Sequence, residues 1–259
     1  MLTEQQRQEF ARDGILALRR AFSADDAARM QDVLWDELRT RHGIERSDRA
    51  TWKAGEAFGM KTSKRSKAFE PMCGPAVASV LDELLGEGGW ARPKQFGNVL
   101  VTFPNAPAPR VPHRIWHSDF DPGFDPDRLF AVKLWALCDD VEPGGGGTPQ
   151  LLGSHKLFAR YLASTPTRQY KEAKFAFLRS HPWLEALTSD DGEPDRNERF
   201  LDVEVDIDGL PARVVELTGQ AGDVFVTHGW VFHSIPVNAG TWPRLMRSCA
   251  VYARNENVF

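Results

Sequence analysis

Cysteine is scarce in this chain. Its 259 residues hold three, Cys73, Cys138 and Cys249, odd in number and far apart, and no Cys-x-x-Cys pair occurs. That excludes a disulfide framework and argues against a structural zinc module. The three read as free thiols in a reducing compartment. Long apolar runs are missing too. No stretch of 18 apolar residues exists, so no membrane-spanning helix and no membrane partner are expected. The start, Met1-Leu2-Thr3-Glu4-Gln5-Gln6, lacks the basic and apolar regions of a secretory leader, and a cytoplasmic location is the expectation. Positive charge is not in excess. The net charge of −4 gives no electrostatic footprint for nucleic acid. There is no internal repeat and no low-complexity linker. A single domain over residues 1–259 accommodates this length, and 42% hydrophobic residues supply a core that needs no staples.

Helical signals open the chain. Thr3 and Gln6 form a capping box, Phe10 gives the helix an apolar face, and Gly14 ends it. Ser23 caps a second helix to about Thr40, with Ala27, Met30, Val33, Leu34 and Leu38 at helical spacing and Gly43 beyond its end. Residues 75–85 predict a third helix, while 46–65 are polar and aperiodic. Strands are predicted at 15–18, 95–103, 116–120, 129–137, 148–152, 201–205, 214–217, 224–228, 231–235 and 245–253. Residues 121–127, rich in Asp, Pro and Gly, predict a loop. Gly144 to Gly147 form a turn without the Gly-Lys-Ser/Thr ending of a phosphate loop. Residues 157–199 interrupt the strands with helical segments and a charged loop at 189–199. Strands divided by turn signals and preceded by helices predict a closed or sandwiched antiparallel architecture.

The chemistry concentrates in Trp116-His117-Ser118-Asp119 and in a segment more than a hundred residues later, Gly222-Asp223-Val224-Phe225-Val226-Thr227-His228-Gly229-Trp230-Val231-Phe232-His233. On a strand, residues i and i+2 share a face, so His117 and Asp119 can reach one ion. A distant histidine can complete the two-His-one-carboxylate triad of non-haem Fe(II) oxygenases. A plain hydrogen-bonded His–Asp pair is the competing reading. His228 and His233 both qualify as the distal ligand. Three coordination sites then stay open for a bidentate 2-oxo acid and for O2. The far carboxylate of such an acid needs a buried cation, which Arg244 suits because a guanidinium grips carboxylates bidentately. Arg247 is the rival, but alternation along 245–253 puts Arg244, Met246 and Ser248 on one face and Arg247 on the other. Trp116, Trp135, Trp230 and Trp242 fall near the motif and suit either a core or an apolar pocket. Arg110 and Arg114, just before it, suit exposed loop charges or contacts to an anion.

These residues resemble the phytanoyl-CoA dioxygenase (PhyH-like) family of Fe(II)/2-oxoglutarate oxygenases over nearly the whole chain. The likeness runs from the opening helix and Phe10-x-x-x-Gly14 turn, through Trp116-His117-Ser118-Asp119 and Gly146-Gly147-Thr148-Pro149-Gln150-Leu151-Leu152-Gly153-Ser154-His155-Lys156, to His233, Pro236, Asn238 and Arg244. It departs at Leu152, where the family has Pro, and at Ser234-Ile235-Pro236. The resemblance implies a mainly β fold with α: a double-stranded β-helix (jelly roll, cupin-like) with N-terminal helices packed on one sheet. It implies Fe(II) on His117, Asp119 and His233, with 2-oxoglutarate anchored by Arg244 beside Trp135 and Thr148. It implies hydroxylation of a small molecule, a secondary metabolite or acyl-like compound, with release of succinate and CO2. Residues 157–200 would form a lid. Asp119 argues against the halogenase variant, and the lack of His-x-His argues against a cupin isomerase or hydrolase. A catalytically silent metal-binding barrel is the alternative.

Overall fold

A computed structural model describes residues 1–53, 59–122, 125, 128–165, 170–190 and 194–254. Parts of the loops expected at 121–127 and 189–199, and of the 46–65 and 157–199 segments, lie outside the described residues.

The N-terminal helices begin and end where their caps lie. α1 (Glu4–Asp13) carries the Thr3/Gln6 box and stops at left-handed Gly14. β1 (Ile15–Leu18) follows at once. α2 (Ala24–His42) is boxed by Ser23 with Asp26 and closes on left-handed Gly43. α3 (Lys61–Arg65) is a single turn and a half, and α4 (Pro75–Leu85) has proline at its first position, where the missing N–H costs nothing. Then come β2 (Asn98–Thr102), β3 (Ala131–Leu137), β4 (Pro149–Leu152), α5 (Ser154–Ser164), α6 (Tyr170–Leu178), α7 (Pro182–Thr188), α8 (Arg196–Phe200), β5 (Val205–Ile207), β6 (Leu210–Glu216), β7 (Val224–His228), β8 (Phe232–His233) and β9 (Arg244–Tyr252). Among the described residues no helix is long and apolar enough to cross a membrane.

The strands form two antiparallel sheets, β1-β7-β3-β9-β2 and β5-β6-β4-β8, in the jelly-roll arrangement. Alternation assigns each face. Val132, Leu134 and Ala136 of β3, with Val224, Val226, Leu245 and Val251, pack outward against α1, α2 and α4. Trp135 and Leu137 of β3, with Phe225 and Met246, point between the sheets. On the second sheet Leu151, Ala212, Val214 and Phe232 pack outward against Phe158, Phe177, Leu184, Leu187 and Phe200 of α5 to α8. The insertion therefore covers the second sheet as the N-terminal helices cover the first. Its expected charged loop is partly internal: Arg196 is fully buried and donates to the carbonyls of Val111, Ala186, Leu187 and Ser189.

Two sequence expectations change. The segment 116–120 is no strand, because pairing is confined to one bridge between His117 and His233. On one side Ile115 takes a left-handed φ of +59. On the other, the Ser118 hydroxyl donates to the Gly229 carbonyl and accepts from the Phe120 N–H, which turns the chain away. The strand expected at 201–205 shifts to the hairpin of β5 and β6. Leu201 keeps only one bridge to Val214.

Candidate metal centre

His117 and His233 are clamped to each other through backbone. Each N–H donates to the other's carbonyl, at 2.9 and 2.8 Å. Their rings stand 4.3 Å apart. Each ring is aimed by the carbonyl two residues earlier. His117 Nδ1 lies 2.9 Å from Ile115 O, and His233 Nδ1 lies 3.4 Å from Val231 O. A carbonyl can only accept, so Nδ1 carries the proton and Nε2 keeps its lone pair. The left-handed backbone of Ile115 is what turns its carbonyl toward His117. A β-branched residue is strained there, by roughly 1–2 kcal/mol.

Both Nε2 atoms converge on Asp119, at 3.3 Å from Oδ1 for His117 and 3.5 Å from Oδ2 for His233. One ligand atom from each of the three residues lies within 4.8 Å of the others. Three donors on one face of an octahedral ion, each about 2.1 Å from it, are about 3 Å apart. The donor set therefore fits a divalent transition metal such as iron, with its open side toward the cavity. Burial would raise the Asp119 carboxyl. The hydrogen bond with His117 and the charges of Lys133 and His233 outweigh that and hold it well below the usual carboxylate range. Burial, then Lys133 and His117, push His233 well below the ordinary imidazole value, which keeps it neutral and able to ligate.

The triad opens into a cavity of about 360 Å³ that is also lined by Lys133, Trp135, Thr148 and Arg244. Trp135 stands edge-on to His233, ring centroids 4.8 Å apart, with Nε1 bonded to the Thr227 hydroxyl. Arg244 is 4% exposed. Its guanidinium donates to the hydroxyls of Thr148 and Thr102, and its Nε has no partner. Among the described residues no carboxylate is within ion-pair distance of it. Glu216 attracts it from further off, while accepting the N–H groups of Gly144 and Gly147. Burial pushes the guanidinium down to about 9. The glycine turn is required by that packing. Gly146 has a φ of +89, and a Cβ on Gly147 would lie 2.4 Å from the Leu217 carbonyl. Asn238 packs against that same turn, bridged to Gly145, and donates to the carbonyls of Thr102 and Trp242.

The rival residues lie elsewhere. Arg247 is buried on the helical face, donating to the carbonyls of Phe96, Ser63 and Lys64 over the Phe69 ring. His228 stacks on His155, 4.9 Å between centroids, outside the cavity lining. Of the four tryptophans near the motif, Trp135 alone lines the cavity. Trp116 and Trp230 join the insertion's core, and Trp242 packs with Trp35 and Trp52. Arg110 approaches Asp190, at 3.8 Å. Ser234 spends its hydroxyl on the Arg114 carbonyl. Sequence reasoning missed Thr102 and Lys133. Trp135 came from the family resemblance; alternation along β3 puts Lys133, two residues before it, on the same face.

The profile of the phytanoyl-CoA dioxygenase (PhyH) family matches residues 10–245. No curated protein matches. Solved structures share the fold at low identity. The non-heme alpha ketoglutarate dependent epimerase SnoN from nogalamycin biosynthesis is 18% identical, with a TM-score of 0.54 over 96% of this chain and 82% of that one. HygX from Streptomyces hygroscopicus, solved with nickel and 2-oxoglutarate bound, is 14% identical, with a TM-score of 0.55 over 98% of this chain and 89% of that one. AviO1 from Streptomyces viridochromogenes is 14% identical, with a TM-score of 0.54 over 100% of this chain and 99% of that one.

Proposed function

This chain belongs to the phytanoyl-CoA dioxygenase (PhyH) family, and from that premise we propose that it is an Fe(II)- and 2-oxoglutarate-dependent oxygenase that hydroxylates a small molecule. The observation that carries this reading is Arg244: a buried guanidinium that, among the described residues, has no carboxylate in ion-pair contact, in the same cavity as a His-Asp-His cluster. A buried cation with only a distant anion is costly unless a ligand brings a closer one.

His117, Asp119 and His233 would hold the metal. Bound iron with 2-oxoglutarate and O2 supplies the oxidising power, releasing succinate and CO2. The residues do the rest. The carbonyls of Ile115 and Val231 hold the two imidazoles in the ligating tautomer. Arg244, braced by Thr102 and Thr148, receives the far carboxylate of 2-oxoglutarate. Trp135 walls the chamber and keeps water from it. Ile235 lines the cavity and is 54% exposed, and Ile115, two residues before His117, is 57% exposed. Both suit a substrate with an apolar body, such as a secondary metabolite or an acyl-like compound. Residues 157–200 would shape the rim as a lid. Lys174 of α6 sits in the field of Asp119, which draws its ammonium up against the lowering effect of burial.

One observation favours a second reading. The Lys133 ammonium pairs with Asp119 and lies 3.5 Å from His233 Nε2. The silent metal-binding barrel would take up Fe(II) without turnover; in a silent barrel without metal, which this contact favours, that cation would replace the metal's charge. Succinate formation with anaerobically loaded Fe(II), 2-oxoglutarate and O2 tests both. Slow native turnover, abolished in His117→Ala and recovered at high 2-oxoglutarate in Arg244→Ala, is expected. A chain that binds neither Fe(II) nor 2-oxoglutarate would overturn the oxygenase reading and leave the silent barrel.

A further inference from the structure

We propose that Lys133 is a second co-substrate-binding residue, whose ammonium takes the carboxylate at the metal end of 2-oxoglutarate while Arg244 takes the far one. The inference rests on the oxygenase reading above and adds to it a residue of β3.

The placement follows from alternation. Lys133 and Trp135 point into the chamber, while Val132 and Leu134 face the helices. Lys133 is 12% exposed, and its Nζ rests 4.1 Å from the centre of the Trp135 ring. Among the described residues, and aside from histidines, Lys133 and Arg244 are the cations that line the cavity, and Asp119 is the acid. They stand at opposite ends. Lys133 pairs with Ala250 in the β3–β9 register, six residues along β9 from Arg244, which is about 20 Å of strand. Arg244 leans back along that strand, its Nη1 3.3 Å from the sulfur of Met246. Lys133 in turn lies over Trp135, which pairs with Ser248, so both side chains lean along the strands toward each other.

Charge decides what Lys133 does once a metal binds. Its partner is Asp119, with His233 Nε2 at 3.5 Å, so the ammonium stands against the ligating atoms of the triad. A divalent ion held by Asp119 would stand near the ammonium. Two cations so close in a buried site repel strongly unless anions lie between them. Asp119 alone would then have to serve both. A bound 2-oxo acid would bring a second carboxylate, which could accept from Nζ. The ammonium would thus change from a partner of Asp119 alone to a clamp on the bound oxo acid. A charge-assisted hydrogen bond of this kind changes affinity by about 10- to 100-fold.

Calorimetric titration of the full chain, saturated with Mn(II) at fixed pH, separates the two ends with three probes. 2-Oxoglutarate has both carboxylates. Pyruvate keeps the oxo acid end and lacks the far carboxylate. Levulinate keeps the ketone and the far carboxylate, with a methyl group at the metal end. Lys133→Met should weaken 2-oxoglutarate and pyruvate by about 10- to 100-fold and leave levulinate within about threefold. Lys133→Arg should recover part of the loss. Arg244→Met should show the mirror pattern, weakening 2-oxoglutarate and levulinate and sparing pyruvate. Lys133→Gln replaces the methionine variant if that one does not fold. Equal weakening of all three probes would overturn the proposal. So would a loss of Mn(II) affinity with unchanged 2-oxoglutarate binding at saturating metal, which would make Lys133 a positioning residue for Asp119. A native chain that takes up Mn(II) but no 2-oxoglutarate would sink the oxygenase reading itself, an outcome distinct from binding that ignores Lys133.

Discussion

Replacing Arg244 with methionine should cost the protein its co-substrate without costing it stability. The guanidinium is 4% exposed and burial pushes it down to about 9 from its ordinary 12.5. That difference corresponds to a penalty on the charged form of roughly 5 kcal/mol. A cation depressed in the folded state carries its full penalty below the folded value, and the penalty fades only as pH rises from about 9 toward 12.5. At neutral pH it is therefore wholly present. Arg244 offsets part of it through the hydroxyls of Thr102 and Thr148, worth about 1–3 kcal/mol each as bonds to a charged group. Arg244→Met removes penalty and bonds together and keeps the volume, so ligand-free stability should stay within about 1–2 kcal/mol, in either direction. Ligand response should differ sharply. At a hundred times its Kd, 2-oxoglutarate adds about 2.7 kcal/mol to a metal-loaded native chain, a rise of roughly 5–10 °C in a domain of this size. The variant should show no such rise at that concentration. Thermal melts of both proteins, with Mn(II), with and without 2-oxoglutarate, read both quantities. A variant that melts more than about 8 °C lower without ligand, yet still gains from 2-oxoglutarate, would refute the reasoning, because Arg244 would then be structural.

Two further outcomes follow from groups outside the cavity. Burial pushes His155 to about 4 and His228 to about 3 from an ordinary value of 6.5. The unfolded chain takes up these protons below pH 6.5 while the folded chain refuses them. Stability should be complete above that pH and decline as pH falls toward 4, and His155→Phe should flatten the slope of denaturation free energy against pH by about one proton. Arg196→Ala should lower the melting temperature by roughly 6–12 °C, because several backbone carbonyls lose a charged donor at about 3 kcal/mol or more in total. Arg196→Lys should restore little of it, since an ammonium lacks the planar fork those acceptors surround.

The helices and the long strands could be read because their signals are local. Capping boxes at Thr3 and Ser23, left-handed glycines at Gly14 and Gly43 and a proline at the head of α4 each fix an end from nearby residues. Alternation on β9 separated Arg244 from Arg247, and the structure keeps them on opposite faces. The expectation of a strand at 116–120 failed for an equally physical reason. The expectation rested on His117 and Asp119 at strand spacing. The left-handed Ile115 that breaks the pairing is a β-branched residue with no propensity for that conformation. Its φ is imposed by tertiary contacts, among them the backbone exchange between His117 and His233, and these involve residues more than a hundred positions apart.

The metal-ligating candidates could likewise be read from residue type and spacing, whereas the charge that surrounds them could not. Thr102 lies on β2, far from any motif, and meets Arg244 only because β2 pairs with β9 in register, Thr102 opposite Arg244. Arg196 sat in a loop that reads as solvated charge, yet its guanidinium is buried among carbonyls. Lys133 is the sharpest case. The run Phe130-Ala131-Val132-Lys133-Leu134-Trp135 reads as a strand by its apolar residues, and nothing in it says what its one lysine meets. β3 is the central strand of a covered sheet, with helices on one face and the chamber on the other. A charge on such a strand has no water to face. It must find an anion inside, and among the described residues it pairs with Asp119, one of the three residues proposed to ligate the metal. A cation placed there carries a desolvation cost that a merely structural strand position would avoid with Val or Ile. The cost is consistent with a chamber that spends its catalytic cycle holding more negative charge than Asp119 alone supplies.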